Sequence, residues 1–221
     1  MRKILRENGL TLTLFFLFFT TFLLGQSIAG HREYNSDQRH HNEATVSYGE
    51  YLRTAHFGEA TFENWESEFL QMGAYVLLTA WLVQKGSSES KDPDQDEEVD
   101  DDPREHVRAD SPWPVKHGGV VLKVYEHSLT IALFGLFAAS MLMHAWTGAH
   151  EYTAEQAAHG EAGVSTWGYL TTSRFWFESF QNWQSEFLAV GAIVVLTIFL
   201  RERGSSESKP VAAPHAMTGS G

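Results

Sequence analysis

Two glutamates, Glu68 and Glu186, are the side chains best placed in this sequence to handle an ion or a proton. Each lies in one copy of a motif that occurs twice, directly before an apolar segment: Asn64-Trp65-Glu66-Ser67-Glu68-Phe69-Leu70 and Asn182-Trp183-Gln184-Ser185-Glu186-Phe187-Leu188. An ionisable side chain at membrane depth is costly, and by default it marks an ion or ligand site. The alternative is that each carboxylate accepts hydrogen bonds that only stabilise the fold.

Comparison of the two copies separates these glutamates from other acids nearby. Glu68 is retained as Glu186, whereas three acids of the first copy are replaced in the second: Glu59 by Phe177, Glu63 by Gln181 and Glu66 by Gln184. On a helix these three acids point well away from an aromatic stripe formed by Phe62, Trp65, Phe69 and Met72. We therefore interpret the three replaced acids as solvated or interfacial side chains.

Four polar residues complete the candidate ion or ligand site. Asn64 and Asn182 begin the two motifs, and Gln26 and His144 occupy equivalent positions near the ends of two other apolar runs. A carboxylate beside a histidine can relay protons or hold a divalent cation. A hydrogen-bonded contact between helices is the other interpretation of the same residues.

A second, weaker set of candidates consists of imidazole and carboxylate groups in the polar segments. His41 and Glu43 recur as His159 and Glu161, and these are ligand types that zinc or copper accepts. Their spacing matches no recognised metal signature, so hydrogen bonding within the loops is the alternative. The chain has no cysteine, which excludes disulfides and thiolate metal sites. We predict no cofactor, with a divalent metal as the alternative.

Several function classes find no support in the sequence. It contains no Gly-x-Ser-x-Gly nucleophile motif, phosphate-binding loop or dinucleotide fingerprint, so we favour a protein that is not an enzyme. The net charge of −12 is concentrated locally, since eleven acids lie between Glu89 and Asp110. This indicates an acidic linker, and we expect no nucleic-acid partner.

The elements that must position these residues follow from an internal duplication. Gly30 to Lys91 aligns with Gly148 to Lys209 without a gap, at an offset of 118 residues, and 32 of the 62 positions are identical. Each copy has an apolar run, a polar loop, an aromatic and acidic stretch, and a second apolar run. The pattern predicts an all-α membrane protein with four transmembrane helices, built from two tandem parallel two-helix repeats.

The predicted spans follow from the lengths of the apolar runs. Leu10 to Ala29 and Ser128 to Thr147 are uncharged stretches of twenty residues, enough to cross a hydrocarbon core of ~30 Å. The second runs are shorter, and extending them back to residues 64 and 182 places Trp65 and Trp183 as anchors at the membrane interface. A cleaved secretory signal is the alternative for the first run.

The boundaries and orientation can then be stated. We predict repeat 1 at residues 1–86 (spans 10–29 and 64–83, outer loop 30–63), an acidic disordered linker at 87–115, repeat 2 at 116–204 (spans 128–147 and 182–200, outer loop 148–181) and a disordered tail at 205–221. Twelve of the sixteen Lys and Arg residues fall in the N-terminus, the linker and the tail. The positive-inside rule therefore places both termini in the cytoplasm and both long loops outside.

A local signal predicts one short helix in the first outer loop. Ser47 and Glu50 have the spacing of a capping box ahead of Tyr51. The second copy retains the serine as Ser165 but has Gly168 in place of the acid, so the signal there is weaker.

The Asn-Trp-x-Ser-Glu-Phe-Leu core, the aromatic run before it and the Gly-Ser-Ser-Glu-Ser-Lys exit resemble an uncharacterised bacterial domain-of-unknown-function family of small membrane proteins. The resemblance extends from Arg2 to about Pro214. It implies an integral protein of the bacterial plasma membrane and carries no activity, cofactor or catalytic residue. Beyond the lipid bilayer, a second copy of the chain or another membrane protein is the expected partner.

Three functions remain in competition. The leading one is a non-enzymatic envelope scaffold, sensor or binding protein. The alternative is a small transporter or channel that handles protons or cations through Glu68 and Glu186. A membrane-embedded metalloenzyme is the third, and it requires a metal at His41 and His159.

Overall fold

A computed structural model describes residues 2–92, 94–95 and 97–219, and its regular structure there is helical, with no strand among those residues. This confirms the all-α class. In chain order the elements are α1 (Arg2–Thr21), a π-helix (Phe22–Ala29), α2 (Gly30–His40), α3 (Tyr48–Tyr51), α4 (Ala55–Thr79), a 3-10 turn (Glu98–Asp100), α5 (Trp113–His117), α6 (Gly119–Glu126), α7 (Ser128–Ala158), α8 (Thr166–Tyr169) and α9 (Ser173–Phe199).

Three helical stretches are long and apolar enough to cross a membrane: Arg6–His40, Ser128–Ala158 and Ser173–Phe199. The fourth predicted span lies in α4, which has sufficient length but carries four glutamates between Glu59 and Glu68. All four helices extend beyond the predicted loop boundaries. Residues 30–40, placed in an outer loop by the sequence pattern, continue the first helix, and α4 begins at Ala55 rather than residue 64.

The ends of α2 and α7 are determined by local backbone chemistry. Asn42 and Gly160, at equivalent positions, adopt left-handed conformations with φ of 59° and 76°. The next amide in each copy bonds back to a carbonyl five residues earlier, Glu43 to Gln38 at 2.7 Å and Glu161 to Gln156 at 2.9 Å. This is the Schellman arrangement, which satisfies carbonyls that a helix end leaves unpaired.

The π-helix at Phe22–Ala29 interrupts the first long helix (residues 2–40), whereas the equivalent helix of the second copy, α7, is continuous. Residues 140–147, its counterpart in the second copy, lie in the regular α-helix α7. Within the π-helix, Gln26 donates to the Thr61 hydroxyl at 2.8 Å, and the Ser27 hydroxyl accepts from Tyr48 at 2.9 Å. The wider turn therefore has specific polar contacts on its packed side.

The chain divides into two compact units. The first comprises Met1–Glu63 and Met141–Trp176, and the second comprises Asn64–Ser140 and Phe177–Gly221. The core of the first unit is formed by four buried residues with partly buried neighbours around them: Ala145, Ala149, Tyr169 and Phe175, with Met141, Tyr152, Val164 and Leu170.

In the second unit the tail folds back on the exit motif of the first copy. The ammonium group of Lys209, 1% exposed, donates to the carbonyls of Gly86 at 2.5 Å, Met217 at 2.9 Å and His215 at 3.0 Å. The Gly86 amide in turn donates to the Thr218 hydroxyl at 2.9 Å. Residues 205–219, the part of the tail that the structure describes, contain no helix, but these contacts hold them in place where their composition predicts disorder.

The predicted short helix in the first outer loop is confirmed as α3. The Ser47 hydroxyl accepts from the Glu50 amide, and the Glu50 carboxylate accepts from the Ser47 amide at 2.7 Å, which completes the capping box. In the second copy the Ser165 hydroxyl accepts from the Gly168 amide at 3.0 Å, and α8 forms without the acid.

We expect Ser47→Ala to lower the free energy of unfolding by about 1 kcal/mol, the usual cost of losing such a cap. The Ser47 hydrogen bonds lower the pKa of Glu50, so the box stabilises the fold above the ordinary glutamate range and this contribution fades as the pH falls. Denaturant unfolding in detergent at neutral and acidic pH measures both effects. Ser165→Ala is the matched control: it should lower the free energy of unfolding by a similar amount and leave the loss of stability on acidification unchanged. If Ser47→Ala loses as much stability on acidification as the wild type does, the account is contradicted.

Candidate functional site

The first unit contains a buried carboxylate beside a buried imidazole. Glu59 of α4 is 7% exposed and His144 of α7 is 0% exposed. A carboxylate oxygen of Glu59 lies within 4.8 Å of a ring nitrogen of His144. His144 was a candidate from the sequence, whereas Glu59 was interpreted as solvated, and that interpretation is wrong.

The Glu59 carboxylate accepts a hydrogen bond from a residue of the second copy of the sequence. The Tyr169 hydroxyl, on the fully buried last residue of α8, donates to Glu59 Oε1 at 3.1 Å. The His144 ring lies 4.8 Å from the ring of Phe175 between their centroids. Glu59, His144 and Tyr169, termed here the Glu59 site, are thus all buried.

Local structure explains how each member reaches this position. Thr54 caps the start of α4 by accepting from the Phe57 amide at 3.2 Å, and Thr172 does the same for Phe175 at the start of α9. Gly148 follows His144 by one turn of α7, so both lie on the same side of that helix. A Cβ atom at Gly148 would stand 2.5 Å from the Tyr169 ring, so only glycine leaves room for the tyrosine.

A second, more peripheral set of charges lies in the same unit. Glu151 accepts a hydrogen bond from the His56 backbone amide and interacts with the His56 and Arg174 charges. Arg174 forms an ion pair with Glu155 and lies over the Tyr152 ring, 5.7 Å from its centroid. His56 and Arg174 are equivalent positions, so each copy presents a basic side chain here.

Burial also affects Tyr51, in the polar segment of the first copy. It raises the pKa of Tyr51, with the neighbouring Tyr34 as a further cause. Tyr51 therefore remains a neutral hydrogen-bond donor across the physiological range, and its hydroxyl donates to the Gln26 carbonyl at 3.4 Å.

The structure brings Glu68 and Glu186 together in the second unit but does not bury them as a pair. Glu68 is exposed and Glu186 is half-buried, and the two charges are close enough to interact. The two asparagines of the motifs make local contacts instead. The Asn64 carbonyl accepts from Ser67 at 2.8 Å, and the Asn182 side chain donates to the Glu178 carbonyl at 3.2 Å.

Another acid that the comparison of copies set aside is fully enclosed. Glu66 is 0% exposed, and its carboxylate accepts from the indole N–H of Trp183 at 3.0 Å. Trp183, predicted as an interface anchor, therefore has its polar edge bound to a carboxylate, while Trp65 is half-buried. Comparison of the two copies identifies only residues that both retain. It therefore missed Glu59 and Glu66, whose carboxylates accept hydrogen bonds and which the second copy replaces by Phe177 and Gln184.

The weak metal candidates of the outer segments are all exposed. They contact their own helix ends: His41 the Asp37 carbonyl at 3.0 Å, His159 the Glu155 carbonyl at 2.8 Å, and Glu161 the Gln156 amide at 2.8 Å. Within the part of the chain that the structure describes, His41, Glu43, His159 and Glu161 join no group of three or more potential metal ligands.

Comparison with known proteins identifies a family whose function is unknown. A family model described as a domain of unknown function (DUF6766) matches residues 1–220. No curated protein and no solved structure matches the chain. The site must therefore be interpreted from its own geometry.

Proposed function

The chain belongs to the DUF6766 family, and we propose that it is a membrane protein that takes up and releases a cation, in the simplest case a proton, at the Glu59 site. The observation that carries this proposal is a carboxylate and an imidazole, both buried, within 4.8 Å of each other. A membrane protein seldom encloses two ionisable groups without a use for their charge.

The chemistry of the three groups supports this function. Histidine changes charge near neutral pH, and an adjacent carboxylate can share or receive its proton. The Tyr169 hydroxyl, 3.1 Å from Glu59, stabilises the carboxylate when the proton has left it. Imidazole nitrogen and carboxylate oxygen are also ligands of divalent cations, so a metal ion is the competing occupant.

We further propose the topology in which this site operates. The helix α4 is the fourth span, the two copies are parallel repeats, and both termini face the cytoplasm of a bacterial plasma membrane. The distribution of Lys and Arg supports the orientation. A reporter fused after Lys91 should read cytoplasmic, and one inserted near Gly160 should read external.

The proposal is tested by the stability of the detergent-solubilised protein across pH and with a panel of monovalent and divalent cations. A ligand that binds only the folded state raises stability by mass action. We expect a dependence on pH or on one cation in the wild type that Glu59→Gln and His144→Gln both lose. His144→Gln is a mild change because Gln26 occupies the equivalent position in the first copy.

A control makes the result specific. Glu68→Gln/Glu186→Gln removes the pair predicted from the sequence and should leave the dependence intact. If the Glu59 and His144 variants respond like the wild type, the site is structural, and the envelope scaffold or binding protein becomes the preferred function, to be pursued by pull-down.

A further inference from the structure

We infer that His56 and Glu151 form a second proton-binding pair in the first unit, and that the charge of this pair sets the proton affinity of the Glu59 site. The inference rests on the proposed function of that site and deepens it by assigning the group that regulates it. His56, Glu151 and the members of the Glu59 site all lie in the first unit.

Glu151 of α7 and His56 of α4 interact in two ways. The Glu151 carboxylate accepts a hydrogen bond from the His56 backbone amide, and its charge also attracts the protonated His56 ring. The Nδ1 nitrogen of His56 is buried and has no hydrogen-bond partner among the residues that the structure describes. A proton can therefore be added to this nitrogen without breaking an existing hydrogen bond, and the charge of Glu151 favours its addition.

The same two helices hold the Glu59 site one turn away. A Cβ atom at Gly148 of α7 would stand 2.9 Å from Glu59 Oε1, so this carboxylate of α4 lies against the backbone of α7. Glu151 makes the reverse contact, because its carboxylate reaches the backbone of α4 at His56. The two contacts are three residues apart on each helix, about 4.5 Å along the axis. Side chains at this spacing are neighbours, with Cβ atoms ~5–6 Å apart, so a charge on His56 acts on Glu59.

The sign of this coupling follows from the charges. A proton on His56 adds a positive charge, which favours the ionised form of Glu59 and lowers the affinity of the Glu59 site for a proton. Loss of the proton from His56 has the opposite effect. Protonation of the pair therefore favours release of the proton from the Glu59 site.

The other ionisable groups around the pair are Arg174 at the start of α9, Glu155 of α7, Tyr34 of α2 and Tyr51 of α3. Arg174 and Glu155 form an ion pair with each other. Tyrosine is neutral near neutral pH, whereas histidine changes charge there. Among these groups, His56 is thus the side chain that can respond to pH near neutrality.

The second copy of the sequence supplies matched variants for a test. Arg174 stands at the position of His56, and an arginine keeps its charge across the physiological range. Glu33 stands at the position of Glu151 and is exposed. His56→Arg therefore fixes the charge of the pair with the residue that the chain uses at the equivalent position, and Glu33→Gln removes the exposed counterpart of Glu151.

The first measurement is an NMR titration of the purified full-length protein in detergent, with isotope-labelled histidine rings. The His56 signal is identified by its absence from His56→Gln. We expect its pH midpoint to fall by about one unit in Glu151→Gln, at the lower end of the shift that a nearby charge causes. Glu33→Gln should leave the midpoint unchanged.

The second measurement is the stability of the same protein across pH. His56→Arg carries the charge permanently, and His56→Gln never carries it. The pH midpoint of the stability change that Glu59→Gln abolishes should therefore lie about one unit lower in His56→Arg than in His56→Gln, with the wild type between them.

The outcomes separate this inference from the function on which it rests. An unchanged His56 midpoint in Glu151→Gln would overturn the inference, as would equal stability midpoints in His56→Arg and His56→Gln, while the Glu59 site would keep its own pH dependence. Absence of any pH or cation dependence that Glu59→Gln removes would overturn the proposed function, and the coupling with it, even where the His56 midpoint shifts as expected.

Discussion

Replacing Gly148 by alanine should lower the free energy of unfolding by about 1–3 kcal/mol, the usual cost of overfilling a packed core. The added methyl group would stand 2.5 Å from Tyr169 Cε1 and 2.9 Å from Glu59 Oε1. Neither neighbour can retreat easily, because the Tyr169 ring is fully buried and also packs against Phe175 at 5.7 Å. The substitution should therefore separate the tyrosine hydroxyl from the carboxylate and abolish the pH or cation dependence of stability.

Denaturant unfolding in detergent measures the stability loss, and the cation panel measures the loss of the site. Gly135→Ala on the same helix is the matched control, since a Cβ atom there meets nothing within 4 Å. Alanine in a helix interior is favoured over glycine by about 0.5–1 kcal/mol, so this variant should be slightly more stable. Equal stabilities of the Gly148→Ala and wild-type proteins would show that the packing around the Glu59 site is looser than described.

Replacing Lys209 by methionine should cost about 3 kcal/mol and release the C-terminal tail. The ammonium group donates to the carbonyls of Gly86, His215 and Met217 at 3.0 Å or less. Hydrogen bonds to charged groups contribute about 1.5–3 kcal/mol each, part of which is recovered when the tail returns to water. Limited proteolysis should then cut the tail near His215. Lys91→Met is the control, because this equivalent lysine is bound at 2.6 Å to the exposed Asp100 and such pairs contribute only about 0–1 kcal/mol.

The buried lysine also makes a prediction about pH. Burial lowers the pKa of Lys209, and the charge of Arg201 lowers it further. The unfolded chain therefore binds more protons than the folded chain just below the ordinary lysine range, and stability contributed by this group rises with pH in that interval. Lys209→Met should remove the rise.

The proteolysis experiment has its own contrary outcome. If the tail is cut equally fast in Lys209→Met and in the wild type, Lys209 does not hold the tail.

The sequence predicted those parts of the fold that rest on local patterns. The Ser47–Glu50 box produced α3 as expected, and the apolar runs produced the long helices. These helices continue beyond the predicted spans. The first and third of them end near Asn42 and Gly160, where the backbone turns left-handed, and hydropathy does not report this.

The site was only half predictable for a different reason. His144 stood out as a polar residue in an apolar run, but its partner Glu59 was set aside because the second copy replaces it. The contacts of Glu59 with Tyr169 and of Glu66 with Trp183 join residues more than a hundred positions apart. A signal was present in the spacing of Glu59, Glu63 and Glu66 along a single helix face, but their replacement in the second copy led us to interpret that face as solvated or interfacial.

The π-helix at Phe22–Ala29 changes what the gap-free alignment of the two copies means in space. A π-turn closes hydrogen bonds over five residues instead of four, so side chains beyond it are rotated relative to those of an uninterrupted α-helix. Gln26 and His144 share an alignment column, yet Gln26 contacts Thr61 whereas His144 lies beside Glu59. Two segments that align without a gap can thus place equivalent side chains beside different partners without inserting or deleting a residue.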